Sequence, residues 1–232
     1  MAIPPNRFGA NWAAIDNRYR ERTVVPDQPL HHQFNHQDCQ ISPAQPRYQG
    51  FFKINSYTVR HRLFGGGWSA PLQRELFERG NAAGVLLYDP QLDQVGVVEQ
   101  FRIGAHAQKE SPWQFEVVAG VVEPGESADQ VARRETFEEA GLTLAALHPI
   151  ANYLVSAGGT DEQMALYCGL CDLSRGSGLF GHAEEHEDIK LHCLDYRAAI
   201  DALNAGQFNN AALTMALFWL QLNRLPLRTA AL

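Results

Sequence analysis

The chain has 232 residues, 45% of them hydrophobic and 19% charged, an ordinary globular composition that allows a sizeable core and excludes a disordered or fibrous protein. A formal net charge of −7 argues against a nucleic-acid binder held by electrostatic attraction, yet is compatible with a small phosphorylated substrate met locally by metal ions and a few arginines. The opening MAIPPNRFG lacks a basic-then-apolar leader, no run approaches 18 apolar residues, and four cysteines do not make a disulfide scaffold at this length, so a cytoplasmic protein without membrane contact is expected.

Residues 1–47 hold six of the twelve prolines and little periodicity, which predicts an irregular extension. A short helix near Asn11–Arg22 would carry Arg18, Arg20 and Arg22 on a solvated face, and His31, His32 and His36 read as solvated too. Phe52–His61 reads as a strand, Gly65–Gly67 as a turn and Leu72–Phe77 as a second strand, together an N-terminal antiparallel sub-domain. Ala82–Tyr88 and Val95–Phe101 read as buried strands joined by the hairpin-type connection Asp89–Asp93. Trp113–Ala119 reads as one strand running into Gly120, followed by a helix and by strands near 148–155, 162–170 and 189–194. Cys168 and Cys171 form a CxxC, but with no second pair and no helix after it they read as ordinary strand cysteines. The end is helical: Tyr196–Asn204, then Asn210–Asn223, stopped by Pro226, with Leu213, Leu217 and Leu220 on a core or interface face. Strands around a central helix with helices at the end make an α+β, mixed-sheet architecture.

The chemistry concentrates in residues 120–142. Ser127 can cap the helix with Gln130 three residues on, Asp129 suits its positive end, and Gly141 suits the left-handed residue past its end. Residues 128–140 then form about three and a half turns. Glu135 and Glu139 share one face and Glu138 lies beside them, on a helix side that also holds Val131 and Ala132. Carboxylates held together near the protein body need a counter-charge, and hard oxygen ligands select Mg²⁺ or Mn²⁺ over zinc. The alternative is a solvated Glu-rich face. Seven residues decide between them: Gly120, Glu126, Arg134, Glu135, Glu138, Glu139 and Gly141 match GX5EX7REUXEEXGU, where U is a bulky aliphatic. At about 5–7% usage per residue type, chance gives such a match on the order of 10⁻⁸ times per start position.

That pattern is the Nudix box, and the chain resembles Nudix hydrolases. Thr136 departs from the aliphatic expected there, but keeps β-branched bulk, so a small structural effect and no lost ligand are expected. The resemblance runs from roughly Tyr48 to Leu222 and is nearest to bacterial ADP-ribose pyrophosphatases. It is carried by Gly50-Phe51-Phe52, Arg74-Glu75, Arg79-Gly80, Glu99-Gln100-Phe101-Arg102, Pro112-Trp113, Gly158-Gly159-Thr160, Glu184-Glu185, Glu187-Asp188 and Asn210 through Trp219.

The resemblance implies a Nudix fold, a mixed sheet sandwiched by helices over residues 81–228, an N-terminal β sub-domain over 48–80, and a homodimer that exchanges those sub-domains. It implies Mg²⁺, with Mn²⁺ possible, held by the Ala119 carbonyl, Glu135 and Glu139, with Glu187 completing the shell. Glu185 would activate water, with Glu138 in the catalytic set; whether Glu185 or Glu187 is the base stays open. Phe51 would stack on adenine with Phe52 beside it. Arg74, Glu75, Arg79 and Arg102 would contact base, ribose or phosphates, and Val121, Ser156 and Glu162 would line the substrate further. The reaction implied is hydrolysis of ADP-ribose to AMP and ribose 5-phosphate. One departure bears on substrate: Ala157 stands where the family's loop usually has proline. Another nucleoside diphosphate sugar such as GDP-mannose, or a non-catalytic nucleotide-sugar-binding module, are the competing readings.

Overall fold

The computed structural model describes residues 31–107, 111–181 and 187–231. The helix expected near Asn11–Arg22, and Glu184 and Glu185, lie outside the described residues. By its contacts the chain divides into one unit of Met1–Ile41 and Val59–Leu72 and another of Ser42–Thr58 and Gln73–Leu232.

A four-stranded sheet is built from β1 (Cys39–Ile41), β2 (Gln45–Gln49), β3 (Lys53–His61) and β4 (Leu72–Glu78). Within the first unit β1 pairs antiparallel with the Val59–His61 end of β3, and within the second β2 pairs antiparallel with its Lys53–Ser56 end. The stretch read as irregular thus holds β1 and the start of β2. Every residue of β2 is exposed, so no apolar alternation marks it in the sequence. Gly66 and Gly67 take φ of 95° and 78° in the expected turn, a region that favours glycine, and Arg62 and Trp68 bridge across it.

The second unit contains an eight-stranded mixed sheet. Its strands are β5 (Ala82–Asp89), β6 (Gln94–Phe101), β7 (Trp113–Glu116), β8 (Val118–Val121), β9 (Ala146–Leu154), β10 (Gln163–Leu170), β11 (Gly178–Phe180) and β12 (Ile189–Asp195). The order is β11-β12-β6-β5-β10-β9, and among the described residues of this sheet β5 and β10 pair in parallel and the other pairs are antiparallel. The helices are α1 (Ile103–His106), α2 (Ala128–Ala140), α3 (Tyr196–Asn204) and α4 (Ala211–Ala231).

The single strand expected over Trp113–Ala119 is two. β5 and β6 pair only from Leu87 to Asp89 and separate beyond; β8 then lies along β5 at Ala82–Val85 and β7 along β6 at Val98–Phe101. Local periodicity cannot reveal such a change of partner, because both halves are extended.

β5 is buried along its whole length, and its side chains alternate between two cores. Leu86 and Tyr88 join Val95, Val97, Leu166 and the α3–α4 residues Ala199, Leu213, Leu217 and Leu220. Val85 and Leu87 join Val98, Leu191 and the α2 residues Val131, Ala132 and Ala140. The expected architecture, a mixed sheet between helices, is therefore what the chain forms. Cys168 and Cys171 are buried free thiols, one in each core, both pushed up to about 12 by burial.

The last helix does not stop at Pro226. α4 continues to Ala231 with Pro226 inside it. Proline removes one helical hydrogen bond, but Leu227 is buried in the core, and Arg224 and Arg228, on either side of Pro226, both grip Asp93. Packing and paired charge override the local breaker.

Candidate functional site

α2 begins as expected. The Ser127 hydroxyl accepts from Gln130 N, the Gln130 side chain accepts from Ser127 N, and Gly141 closes the helix at φ 64°. Val131, Ala132 and Ala140 anchor it to the sheet. Thr136, the departure from the box, is fully buried and donates its hydroxyl to the Ala132 carbonyl at 2.7 Å, so its one polar atom is satisfied.

This anchoring sets the carboxylate face of α2 against β8. Gly120 lies so near that a Cβ there would stand 1.8 Å from Glu135 Oε1, which is why the box needs glycine at that position. One residue earlier, Ala119 N donates to Glu139 Oε2 at 3.2 Å. In a strand the N–H and C=O of one residue leave on the same side, so the Ala119 carbonyl faces the same carboxylate.

Glu139 is only 3% exposed. Burial, reinforced by the charges of Glu135 and Glu187, pushes its carboxyl up to about 8, although the Ala119 N–H and the charge of Arg102 oppose the rise. Burial raises Glu135 as well, with Glu138 and Glu187 adding and Arg134 opposing. Arg134 is the clamp of the outer rim. Its guanidinium donates to both Glu126 oxygens at 3.1 and 3.2 Å, to Glu135 at 2.7 Å and to Glu138 at 2.9 Å. It holds Glu126 below its ordinary range. Among the described residues no three His, Cys, Asp or Glu side chains are already gathered as a ligand cage, as expected of carboxylates that repel one another.

The groups that could hold a metal here are hard oxygens: Glu135, Glu139 and the carbonyl of Ala119, whose N–H meets Glu139, with Glu187 close enough to act electrically on both carboxylates. That chemistry, and a carboxyl raised by burial beside other carboxylates, fits a divalent cation such as Mg²⁺ and does not fit a soft-ligand zinc site.

The expected substrate residues fall into separate groups. Phe51 is 95% exposed and meets Phe52 edge-on at 4.8 Å; Phe52 meets Phe77 at 5.0 Å. Phe77 is tied by its backbone to Gly159, and Arg79 N donates to Asp161 at 2.9 Å. The Arg79 guanidinium pairs with the buried Glu162. Ser156 is exposed, and its carbonyl accepts from Gly159 N and Thr160 N, both at 3.0 Å, so the loop closes on itself with Ala157 in it. Val121, half exposed, pairs with Ala82 at the far end of β8. Arg74 and Glu75 instead line a pocket of about 590 Å³ with Gln45, Arg47, Ser56, Gln73 and Gly158, and none of the box carboxylates is in its walls. Arg102 lies on the carboxylate side, since its charge acts on Glu139.

Two residues beside Arg102 have no role assigned from the sequence. Glu116 accepts from Arg102 Nε at 2.6 Å, and Asn210 Nδ2 donates to Glu116 at 2.8 Å. No local pattern signals either, because their partners are distant in the chain.

Comparison with known proteins places these residues in context. Residues 78–212 match the family model described as NUDIX domain. The ADP-ribose pyrophosphatase of Escherichia coli (strain K12) is 43% identical over 195 residues, spanning 84% of this chain and 93% of that protein. The ADP-ribose pyrophosphatase of Haemophilus influenzae is 41% identical over 193 residues, 82% of this chain and 89% of its own length. A solved structure, "Crystal structure of ADP compounds hydrolase", superposes with a TM-score of 0.59 at 19% identity, covering 80% of this chain and 95% of that one, and so shares the fold.

Proposed function

The chain belongs to the NUDIX family, and from that premise we propose that it hydrolyses ADP-ribose, with water, to AMP and ribose 5-phosphate. The observation that carries the reading is the under-compensated pair Glu135 and Glu139 against Ala119, in a box where every carboxylate and the arginine is present. Relatives 41–43% identical over most of the chain that are themselves ADP-ribose pyrophosphatases support the substrate.

In this reading the Ala119 carbonyl, Glu135, Glu139 and Glu187 hold Mg²⁺, which supplies a polarised phosphoryl oxygen and a more acidic water. The protein's own part is placement and charge. Arg134 fixes Glu135 and Glu138 by hydrogen bonds, so the helix face keeps its shape when substrate enters. Arg102 brings a positive charge to the pyrophosphate. Glu185, outside the described residues, takes the proton of the attacking water; a carboxylate free of metal is the better base. Phe51 offers an open aromatic face on which adenine can stack, while Arg79 with Glu162, Val121 and Ser156 border the sugar and phosphates.

The assembly proposed is a cytoplasmic homodimer in which residues 48–80 of one copy complete the site of the other, the Nudix domain being residues 81–228. The exposed Phe51 and a pocket at Arg74 and Glu75 that has neither Glu135 nor Glu139 in its walls support it. Light scattering should give twice the chain mass of 25.8 kDa.

The decisive test is a substrate panel: AMP release from ADP-ribose in Mg²⁺, set against GDP-mannose and dinucleoside polyphosphates. ADP-ribose is expected among the best substrates. Preference for another sugar nucleotide overturns the substrate assignment, and absence of any turnover overturns the enzyme.

A further inference from the structure

Arg102 directly follows β6, and its backbone N is fixed by the Pro112 carbonyl at 2.8 Å. Its side chain is partly exposed, yet its Nε hydrogen goes to Glu116 Oε2 at 2.6 Å, a short charge-assisted bond. Glu116 is largely withdrawn from solvent, with its side chain 14% exposed, and its second oxygen is also engaged by Asn210 Nδ2 at 2.8 Å. Asn210 cannot turn its amide over without loss, because Oδ1 accepts from Leu213 N at 3.2 Å as the cap of α4. A fixed line therefore runs from the start of α4 through Glu116 to Arg102, joining elements 94 residues apart.

The geometry has a consequence for the guanidinium. Among the described residues Arg102 gives its Nε edge to Glu116, and the remaining edge of Nη1 and Nη2 is the fork that matches two oxygens of a phosphate. A long flexible side chain would otherwise have to be ordered each time substrate binds. Glu116 lies in β7 one residue short of Val117, and so three before Ala119, whose N–H holds Glu139. The same short stretch thus supports the arginine and the acidic pair.

We propose that Glu116 is a positioning residue that, braced by Asn210, presents the Nη edge of Arg102 to the pyrophosphate of the substrate. This rests on the reading above that Arg102 meets the phosphates. Glu116 touches no reacting atom. Its effect passes through Arg102 alone, and because a held phosphate contact serves ground state and transition state alike, its loss falls on KM more than on kcat.

A double-mutant cycle on the full-length, Mg²⁺-loaded protein tests it, with ADP-ribose as substrate and melting temperature as the folding control. Glu116→Gln, which keeps size and shape, should raise KM about tenfold with kcat within about twofold, while Arg102→Ala should raise it more. In the Arg102→Ala background Glu116→Gln should add nothing. Asn210→Ser, which keeps the helix cap but withdraws the amide from Glu116, should raise KM by about threefold and fall equally silent without Arg102. Additive losses in the two backgrounds, a loss confined to kcat, or wild-type kinetics in Glu116→Gln would overturn the proposal. Calorimetric binding of ADP to wild type, Glu116→Gln, Arg102→Ala and their double variant separates this from the substrate assignment. If ADP-ribose is not turned over but ADP affinity shows the same coupling, the substrate assignment fails and Glu116 keeps its role. If ADP-ribose is hydrolysed and the cycle is additive, the reverse holds. An additive cycle in ADP binding without turnover sinks both.

Discussion

Asp93 and Glu139 are both carboxylates drawn back from water, and the chain treats them in opposite ways. Asp93, in the turn between β5 and β6, accepts from Tyr88 Oη at 2.9 Å, from Arg224 Nε at 2.7 Å and from Arg228 Nη1 at 2.8 Å, and these partners hold it below the usual carboxylate range. Its carbonyl also takes Tyr196 N at 2.9 Å, and Arg224 lies 4.3 Å from the Tyr196 ring centroid. Glu139 is buried, receives one backbone N–H and meets the repulsion of Glu135 and Glu187, so that burial first, and those charges after it, raise its carboxyl to about 8. The first charge is completed by the chain and serves to pin the hairpin to α3 and α4. The second is left incomplete, which is the condition under which a cation from solution binds. On the proposed function, the contrast separates a structural acid from a metal-holding one.

The comparison breaks first at Glu139. Glu139→Gln should lower turnover of ADP-ribose by about 10³-fold with the circular-dichroism spectrum unchanged; retained activity would show that the incomplete charge has no functional role. Gly120→Ala, whose new methyl must displace the Glu135 carboxylate, should cost about 10²-fold in kcat/KM with a modest change in melting temperature. Asp93→Asn should do the converse. It strands two arginines, and denaturant melts should show a loss of about 2 kcal/mol, while kcat stays near wild type. A large loss of activity there would erase the distinction.

The two acids also predict opposite limbs of a stability–pH curve measured with chelator present. Glu139 has a folded value of about 8 against an ordinary 4.5. Folded protein therefore holds the proton more tightly, and its contribution is complete below about pH 4.5 and lost as pH rises through 8. Asp93 is lowered from 3.8, so its contribution is complete above that value and lost as pH falls through the folded one. Glu139→Gln should flatten the alkaline limb and Asp93→Asn the acid limb; saturating Mg²⁺ should restore the alkaline side in the wild type only. An alkaline limb unchanged in Glu139→Gln would refute the assignment. The smallest effect belongs to Thr136→Val, expected to change stability by less than about 1 kcal/mol and activity not at all, which a melting curve and one rate measurement settle.

Much of this was legible before any coordinates. Ser127, Gln130 and Gly141 announce the ends of α2, and the spacing of Glu135, Glu138 and Glu139 places three carboxylates on neighbouring positions. Those signals are local, and helices and turns respond to neighbours within a few residues. The two strands of the central hairpin were equally plain, because burial on both faces leaves a continuous apolar run. β2 was not, because no face of it is buried.

Sequence alone determined the helix, its caps, the order of its acids and the strands that carry them, since each depends on residues close along the chain. Tertiary structure decided the rest. It divided Trp113–Ala119 between two partner strands, carried α4 past Pro226 to where Arg228 reaches Asp93, and set Glu116 between Arg102 and Asn210. The pairing of Arg224 with Asp93 spans 131 positions and that of Asn210 with Glu116 spans 94. Partners that far apart in sequence have no spacing rule to announce them; only the packing of α4 against the sheet that holds β7 and the β5–β6 turn brings them within a hydrogen bond.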